Sequence, residues 1–359
     1  MRKNLNNSEI QKIISLYKNQ NFKKALLEAN LTRVKYQQLE TSNFYLNLIG
    51  LIHLALKDWQ NSIFFFNKAI QLNPKVLYPY YNLGIAYYDM GELKESLEYF
   101  LKVYENSKDK KKSKFAIIKI LSFINPIKHF DNTLVNINNK IQLINSKINF
   151  NEKIIDKFIL DMINKCKSES EELDNFEFNE DQVYRRNEID LNCERHKRIF
   201  NKFNTIPKFC FNCIKIVIFL DDPYDLIRLV LFFDQYENLF KFDRKCIIEK
   251  QNEKFKAYIY FDSIELAKKV SKEITPIMEV LVGQKIKYEI KRGCSEYAVK
   301  YPDFKDINYN MTYPKEWSIN EEKFDIDSFK DGVPITRNIQ KSLSGLTLSD
   351  FLIFNKWLN

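Results

Sequence analysis

Asn82-Leu83-Gly84-Ile85-Ala86-Tyr87-Tyr88-Asp89-Met90-Gly91-Glu92 sets large residues against small ones at helical spacing and ends on a glycine that stops the helix. The same slots are filled one repeat earlier. Gly50 and Gly84, Ser62 and Ser96, and Phe66 and Phe100 each stand thirty-four residues apart. Leu46 and Ile49 on one side answer to Tyr80 and Leu83 on the other, and Ala69 answers to Val103. Self-similarity at such a period marks a stacked helical repeat, in which each unit buries its apolar face only against its neighbours.

The pattern resembles the tetratricopeptide repeat, a helix-turn-helix unit of this length. In that family the glycine at the helix crossing admits the paired helix, and large side chains fill the holes between helices. Two slots depart from it: His53 replaces the aromatic of the first helix, and Lys108 stands where Pro74 stands one repeat before. Residues 8–41, with Tyr17, Phe22, Ala25 and Leu26, look like a degenerate earlier copy. The resemblance covers about a third of the chain and implies a concave face that docks proteins or peptides. On it would lie Phe44, Asn47 and Leu51 from one repeat, and Tyr78, Tyr81, Ile85 and Tyr88 from the next. That face is aromatic rather than cationic. His53, at a core slot, reads as a packed histidine.

Past the repeats, Lys108–Lys114 is a basic run that reads as a loop, and Phe115–Phe123 resumes a helical pattern. Residues 131–166 keep that spacing (Ile154, Ile155, Phe158, Ile159, Met162, Ile163) and predict helices that cap the array. Residues 1–167 are thus read as the helical domain. The stretch 168–191 turns acidic and loses periodicity, as a linker does.

All six cysteines lie at or beyond Cys166. Cys193-Glu-Arg-His196 and Cys210-Phe-Asn-Cys213 supply four soft ligands in two close pairs, which suits a tetrahedral Zn²⁺. An iron–sulfur cluster on Cys193, Cys210, Cys213 and Cys294 is the alternative, and unligated, packed thiols are the plain reading. A thioredoxin-type dithiol follows a strand and opens a helix, whereas Cys210 and Cys213 precede a strand. With all positions filled by protein, such a metal would be structural.

After Cys213 the periodicity changes. Ile214–Leu220 alternates as a strand, a helix follows Asp221-Asp222-Pro223, and Arg244–Lys250 and Phe255–Phe261 are strands. A helix from Asp262-Ser263 to Val282 ends at Gly283, and Gln284–Lys291 is the last strand. This β-α-β-β-α-β order is that of a ferredoxin-like α+β module over residues 192–300. In that topology the first strand runs antiparallel beside the fourth, so Cys210 and Cys213 should meet Cys294 at one sheet edge. Cys246 is read as a core cysteine.

On the sheet face away from the helices, alternation places Lys215, Val217 and Phe219 with Lys256, Tyr258, Tyr260, Lys285, Lys287 and Lys291. A basic, aromatic open sheet is how RNA-recognition motifs stack bases. Lys254–Phe261 partly resembles that family's third-strand motif through Lys254, Ala257, Tyr258, Ile259 and Phe261. Lys256 stands where an aromatic belongs, and neither Lys215 nor Val217 supplies the first-strand ring. Residues 301–359 form an aromatic arm and a closing helix. Tyr297, Tyr301, Phe304, Tyr309, Tyr313 and Trp317 would cover the face, Phe324–Asn338 reads as loop, and Ser344–Trp357 as an amphipathic helix that docks on the protein itself.

The net charge of +9 over 359 residues permits an anionic partner without requiring one. The polar opening, the lack of an apolar run of about 18 residues and the paired cysteines lead to the expectation of a cytoplasmic protein with no membrane contact. Enzyme signatures are scarce: there is no glycine-rich phosphate loop and no Gly-x-Ser-x-Gly elbow. Asp221-Asp222 reads as a helix cap. Cys294, beside Lys291 and Arg292, is the best nucleophile candidate, but no histidine base is assignable to it. The reading is therefore a non-catalytic protein–protein interaction scaffold with a metal-stabilised C-terminal module. The alternative is a module that binds RNA on its open face, or an enzyme using Cys294 or the metal.

Overall fold

Six helices carry the repeat pattern in antiparallel pairs. They are α1 (Asn7–Lys18) with α2 (Phe22–Lys35), α3 (Asn43–Ala55) with α4 (Trp59–Leu72), and α5 (Tyr78–Met90) with α6 (Leu93–Asn106). The computed structural model describes residues 7–125, 132–145, 160, 161, 164, 173, 176, 178–186, 192–240, 245–251, 254–308, 311–331 and 341–358. The helices predicted around Ile154–Ile163 lie outside the described residues. By contacts the chain divides into two units, residues 1–117 with 319–338 and residues 118–318 with 339–359.

In the first unit the repeat glycines act as spacers. A Cβ built on Gly50 would stand 2.5 Å from Phe66 Cε1, and one on Gly84 would stand 2.9 Å from Phe100 Cε1. Each phenylalanine of a second helix therefore packs directly on the glycine of its partner, which is why the two types recur together. Ser96 Oγ donates to the Gly84 carbonyl at 2.7 Å across the same crossing. His53 is 8% exposed, stacks on Phe65 at 5.4 Å, and sets Nδ1 2.9 Å from Asp58 Oδ2. It is a packed histidine. Ser42 and Asp58 accept from the backbone N–H of Tyr45 and Asn61 and cap α3 and α4, while Gly91, at φ 87°, ends α5 in the left-handed region.

Two loops expected from the sequence are helical. α7 (Lys111–Ile120) begins inside the basic run, where Asp109 Oδ1 accepts from Lys111 N. Lys114 is buried in the first turns, and burial, then the nearby Lys110 charge, lowers its pKa. Much of Phe324–Asn338 also belongs to a helix, Lys315–Asp331, which is continuous. Its buried residues, Trp317, Phe324 and Ser328, share a face at spacings of seven and four, a signal thinned by the charged residues between them.

The second unit is built on a five-stranded antiparallel sheet in the order β1-β3-β4-β2-β5. The strands are β1 (Gln182–Arg186), β2 (Ile214–Leu220), β3 (Lys245–Gln251), β4 (Lys254–Phe261) and β5 (Lys287–Arg292). With α8 (Thr133–Asn145) preceding them, the helices of this unit are α9 (Cys193–Phe203), the single turn α10 (Lys208–Phe211), α11 (Pro223–Phe240) and α12 (Ile264–Val282). Two further helices among the described residues are α13 (Lys315–Asp331), whose residues from Ile319 on belong to the first unit, and α14 (Leu348–Leu358). From β2 to β5 the element order is the expected β-α-β-β-α-β. β1 is additional: it lies in the stretch read as acidic linker and pairs with β3, Gln182 opposite Glu249.

One sheet face takes α11 and α12, with Ile216, Ile218, Ala257 and Ile259 against Ala267, Val270, Ile274 and Met278. Asp222 Oδ1 accepts from Tyr224 N, so the Asp221-Asp222 pair caps α11 as expected. α14 docks on the chain itself. Gln142 and Asn138 of α8 bond to Leu346 O and Leu348 N, and Phe351, Ile353, Phe354 and Trp357 are buried.

Candidate functional site

Antiparallel register carries side chains from β2, β4 and β5 onto the second sheet face. Lys215, Val217 and Phe219 of β2 lie opposite Tyr260, Tyr258 and Lys256 of β4, and opposite Lys291, Glu289 and Lys287 of β5. Val217 and Tyr258 form a small buried cluster there, with Tyr184, Phe219 and Tyr260 packed around it. A cavity of about 490 Å³ opens over this cluster. Its floor is Lys215, Val217 and Phe219 of β2, Lys256, Tyr258 and Tyr260 of β4, and Lys291, together with Gln182 and Glu249, and its wall is Arg292, Cys294, Ser295, Ala298, Phe304 and Lys305.

The aromatic arm was expected to cover this face; its described residues only edge the cavity, through Ala298, Phe304 and Lys305. Tyr297, Phe304 and Trp317 instead pack with Ile206, Cys210 and Phe211 into a separate aromatic core. Phe211 lies 5.7 Å from Phe304, 5.2 Å from Tyr313 and 6.2 Å from Trp317, ring centre to ring centre. The short turn Lys208–Phe211 offers the arm a better apolar seat than a sheet face lined with lysines, so these arm residues edge the cavity without closing it. Tyr309 lies outside the described residues.

Charge is unevenly met in the cavity. Glu249 accepts from the Tyr258 hydroxyl at 2.7 Å and from Gln182 Nε2. Burial, then Glu249, pushes the Tyr258 phenol up, and burial does the same to Tyr260, so both rings stay neutral. Lys215 holds its ammonium 5.2 Å from the Tyr258 ring centre and 6.0 Å from that of Tyr260. Burial lowers its pKa, against the pull of the Cys294, Glu296 and Cys213 side chains. The Arg292 guanidinium lies 4.8 Å from the Phe304 ring centre and donates to the Phe211 carbonyl, and burial lowers its pKa too.

The cysteine geometry foreseen from topology appears at the backbone level. Ile214 pairs with Arg292, and the Gly293 amide donates to the Cys213 carbonyl at 2.7 Å, so the Cys210–Cys213 turn and Cys294 share one sheet edge. A Cβ on Gly293 would stand 2.3 Å from Cys213 Sγ, which shows how closely that thiol is seated. Cys210 is buried beside Tyr297, whose phenol is pushed up first by burial and then by that thiol. Cys193 is exposed, on the first turn of α9. His196 is 5% exposed and stacks on Phe209 at 5.3 Å, its Nδ1 without a hydrogen-bond partner. None of these four cysteines is in a disulfide.

Among the described residues no three His, Cys, Asp or Glu side chains are grouped as a metal requires. Cys193 faces solvent while His196, three residues on, is turned into the aromatic core. Neither Zn²⁺ nor an iron–sulfur cluster is assigned to Cys193, His196, Cys210, Cys213 and Cys294. Cys246 lies on β3 opposite Ile259. Its side chain and all of Cys166 lie outside the described residues.

In the repeats, Phe44 and Tyr78 are 58% and 71% exposed at the starts of α3 and α5. Asn47 and Asn82 join these helices, Asn82 Nδ2 donating to Asn47 Oδ1 at 2.8 Å. Leu51 and Ile85 pack on the Leu54–Phe66–Leu83 cluster, Tyr88 is half-buried, and Tyr81 meets Phe100 edge-on at 5.2 Å. Tyr78 and Tyr81 also line a cavity of about 540 Å³ with Lys75, Val103, Asp109 and Lys112. The half-buried members serve the packing between repeats, so Phe44 and Tyr78 carry most of the open apolar surface.

Residues 45–76 and 77–110 match the tetratricopeptide repeat. A comparison with curated proteins finds no match to the chain. The N-terminal region is thus a helical array of tetratricopeptide repeats, a class that generally mediates protein–protein interaction. Among the described residues no helix is long and apolar enough to cross a membrane.

Proposed function

We propose that the chain is a non-catalytic interaction scaffold whose repeats dock an apolar peptide segment of a protein partner. The observation that carries this reading is Tyr78, widely exposed within a matched repeat and standing beside Tyr81 at the mouth of a peptide-sized cavity. A large ring left in solvent at a helix start contributes nothing to the fold, whereas rings are the side chains that anchor interfaces. Phe44, Asn47, Leu51, Ile85 and Tyr88 extend the same surface along α3 and α5. Lys75 and Lys112 flank it, which favours segments with acidic residues beside an apolar anchor. The sheet unit, a ferredoxin-like module by its strand order, is held by its own aromatic core in this reading and carries a separate role.

A phage-displayed peptide library selected on the whole protein tests the reading. Selection should enrich peptides with one or two apolar anchors. Tyr78→Ala should weaken their binding by roughly tenfold or more, since an interface ring contributes about 2 kcal/mol. Enrichment of peptides that bind Tyr78→Ala and Phe44→Ala variants as well as wild type would overturn it.

A further inference from the structure

The open sheet face of the second unit and its edge carry two cations that form no ion pair, Glu296 and Asp306 pulling on Lys215 and Arg292 without bonding to them. Lys215 is half-buried between the Tyr258 and Tyr260 rings, and Arg292 is half-buried against Phe304. Neither has an ion-pair partner among the described residues. Arg292 Nη1 is satisfied by the Phe211 carbonyl, but Arg292 Nε is buried with no acceptor at all. Desolvating a charge without a partner costs folding free energy, and a protein that keeps two such groups beside one cavity gains only if an anion enters it.

The carboxylate that does face the cavity is already occupied. Glu249 is held by Tyr258 and Gln182, at the β1–β3 end of the face, away from Lys215 and Arg292. Lys305 adds positive charge at the Arg292 end, and Lys291, ion-paired to Glu289, stands on the same rim. The opposite end offers ring and aliphatic surface, Phe219, Val217 and Tyr258 side by side, with the Lys287 and Lys291 ammonium groups 5.8 and 6.0 Å from the Phe219 ring centre. An anion-attracting end beside an aromatic floor is complementary to a planar ring joined to a phosphate. The volume of about 490 Å³ admits one such unit and not a folded domain.

We infer that this cavity binds a nucleotide, its phosphate between Lys215 and Arg292 and its base stacked on the Phe219–Tyr258 floor. The same chemistry is presented by a free mononucleotide and by one residue of a single-stranded RNA. Cys294, in the wall beside Lys215, supplies a built-in reporter, because a bound phosphate shields its thiol from alkylation while exposed Cys193 stays reactive.

The test uses the full chain and three probes: inorganic phosphate, an equimolar mixture of the four ribonucleoside 5′-monophosphates, and a mixed-sequence RNA decamer. Calorimetric titration should show the monophosphates binding at least tenfold more tightly than inorganic phosphate and slowing Cys294 alkylation by iodoacetamide. The decamer binding with similar affinity per site identifies single-stranded RNA as an equally good source. The decamer binding and the monophosphates failing identifies RNA alone. Lys215→Met and, on the exposed rim, Lys291→Glu should each weaken binding roughly tenfold, about 1.4 kcal/mol. Either variant decides, so misfolding of one leaves the other informative. The inference is overturned if neither nucleotide probe binds, if inorganic phosphate binds as tightly as the monophosphates, or if a folded variant binds like wild type.

Discussion

Arg185 grips Asp350 with both ends of its guanidinium. Nη1 donates to Oδ1 at 3.2 Å and Nη2 to Oδ2 at 3.0 Å, while Nε donates to Asp234 at 2.8 Å. The three groups belong to β1, α14 and α11, and the Gly345 backbone closes the network at both its N–H and its carbonyl. Removing one partner of a buried ion pair strands the others, which costs about 3–5 kcal/mol. Arg185→Leu should lower stability by that amount in urea unfolding. Arg185→Lys should rescue little of it, because an ammonium cannot reproduce the two-pronged geometry. A loss below about 1 kcal/mol for the leucine variant would mean that β1 and α14 hold without the pair.

The same network sets a pH dependence. Burial pushes the Asp234 carboxyl up to about 6, against the pull of Arg185, while Asp350 adds a second negative charge nearby. A carboxyl whose folded pKa exceeds its unfolded value of about 3.9 is protonated more readily in the folded chain, so its contribution to stability falls as pH rises between those two values. Asp234→Asn mimics the protonated form. Wild type should therefore lose about 2–3 kcal/mol relative to this variant between about pH 4 and pH 7, read from paired urea unfolding curves. Parallel curves across that range would show that Asp234 titrates normally.

The helical repeat and the β-α-β-β-α-β order were legible because each rests on local periodicity: glycine-to-phenylalanine spacing in the one, alternation bounded by Asp222, Ser263 and Gly283 in the other. β1 was not, since its Arg185 reads as a solvent residue until Asp234 and Asp350, 49 and 165 residues away, arrive to bury it. The lysine and tyrosine positions of the open face followed from alternation. That Lys215 and Arg292 end beside a cavity without an ion pair did not, because that depends on where the 297–317 arm packs. Arm and sheet compete for the same rings, and only the packing of Phe211 decides.

The glycine spacers make a graded prediction for the repeats. Alanine at position 50 brings a methyl group to 2.5 Å from Phe66, and alanine at position 84 brings one to 2.9 Å from Phe100. Overpacking of this kind costs about 1–3 kcal/mol, with the closer contact costing more. Gly50→Ala should therefore lower the melting temperature more than Gly84→Ala. Phe66→Leu should recover part of the Gly50→Ala loss by yielding the ring's space. Equal melting temperatures for wild type and Gly50→Ala would show that the helix pair spreads without cost.

At the sheet edge, packing and metal ligation predict opposite responses to the same reagents. The Gly293 position admits no side chain, since its Cβ would meet Cys213 Sγ at 2.3 Å and Cys213 Cβ at 2.9 Å. If Cys213 stabilises by packing in this seat, Gly293→Ala should cost about 1–3 kcal/mol, and Cys213→Ala, which clears the space, should offset part of it in the double variant. Chelation by EDTA should then leave the melting temperature of wild type unchanged, because no ion contributes to folding. If an ion tied Cys210, Cys213 and Cys294 together, chelation would unfold the unit, Cys213→Ala would be as damaging alone as with Gly293→Ala, and the purified protein would carry close to one equivalent of zinc or a cluster's iron by elemental analysis. With Cys193 in solvent and His196 stacked on Phe209, the packing outcome is the expected one, and the double variant should melt above Gly293→Ala alone.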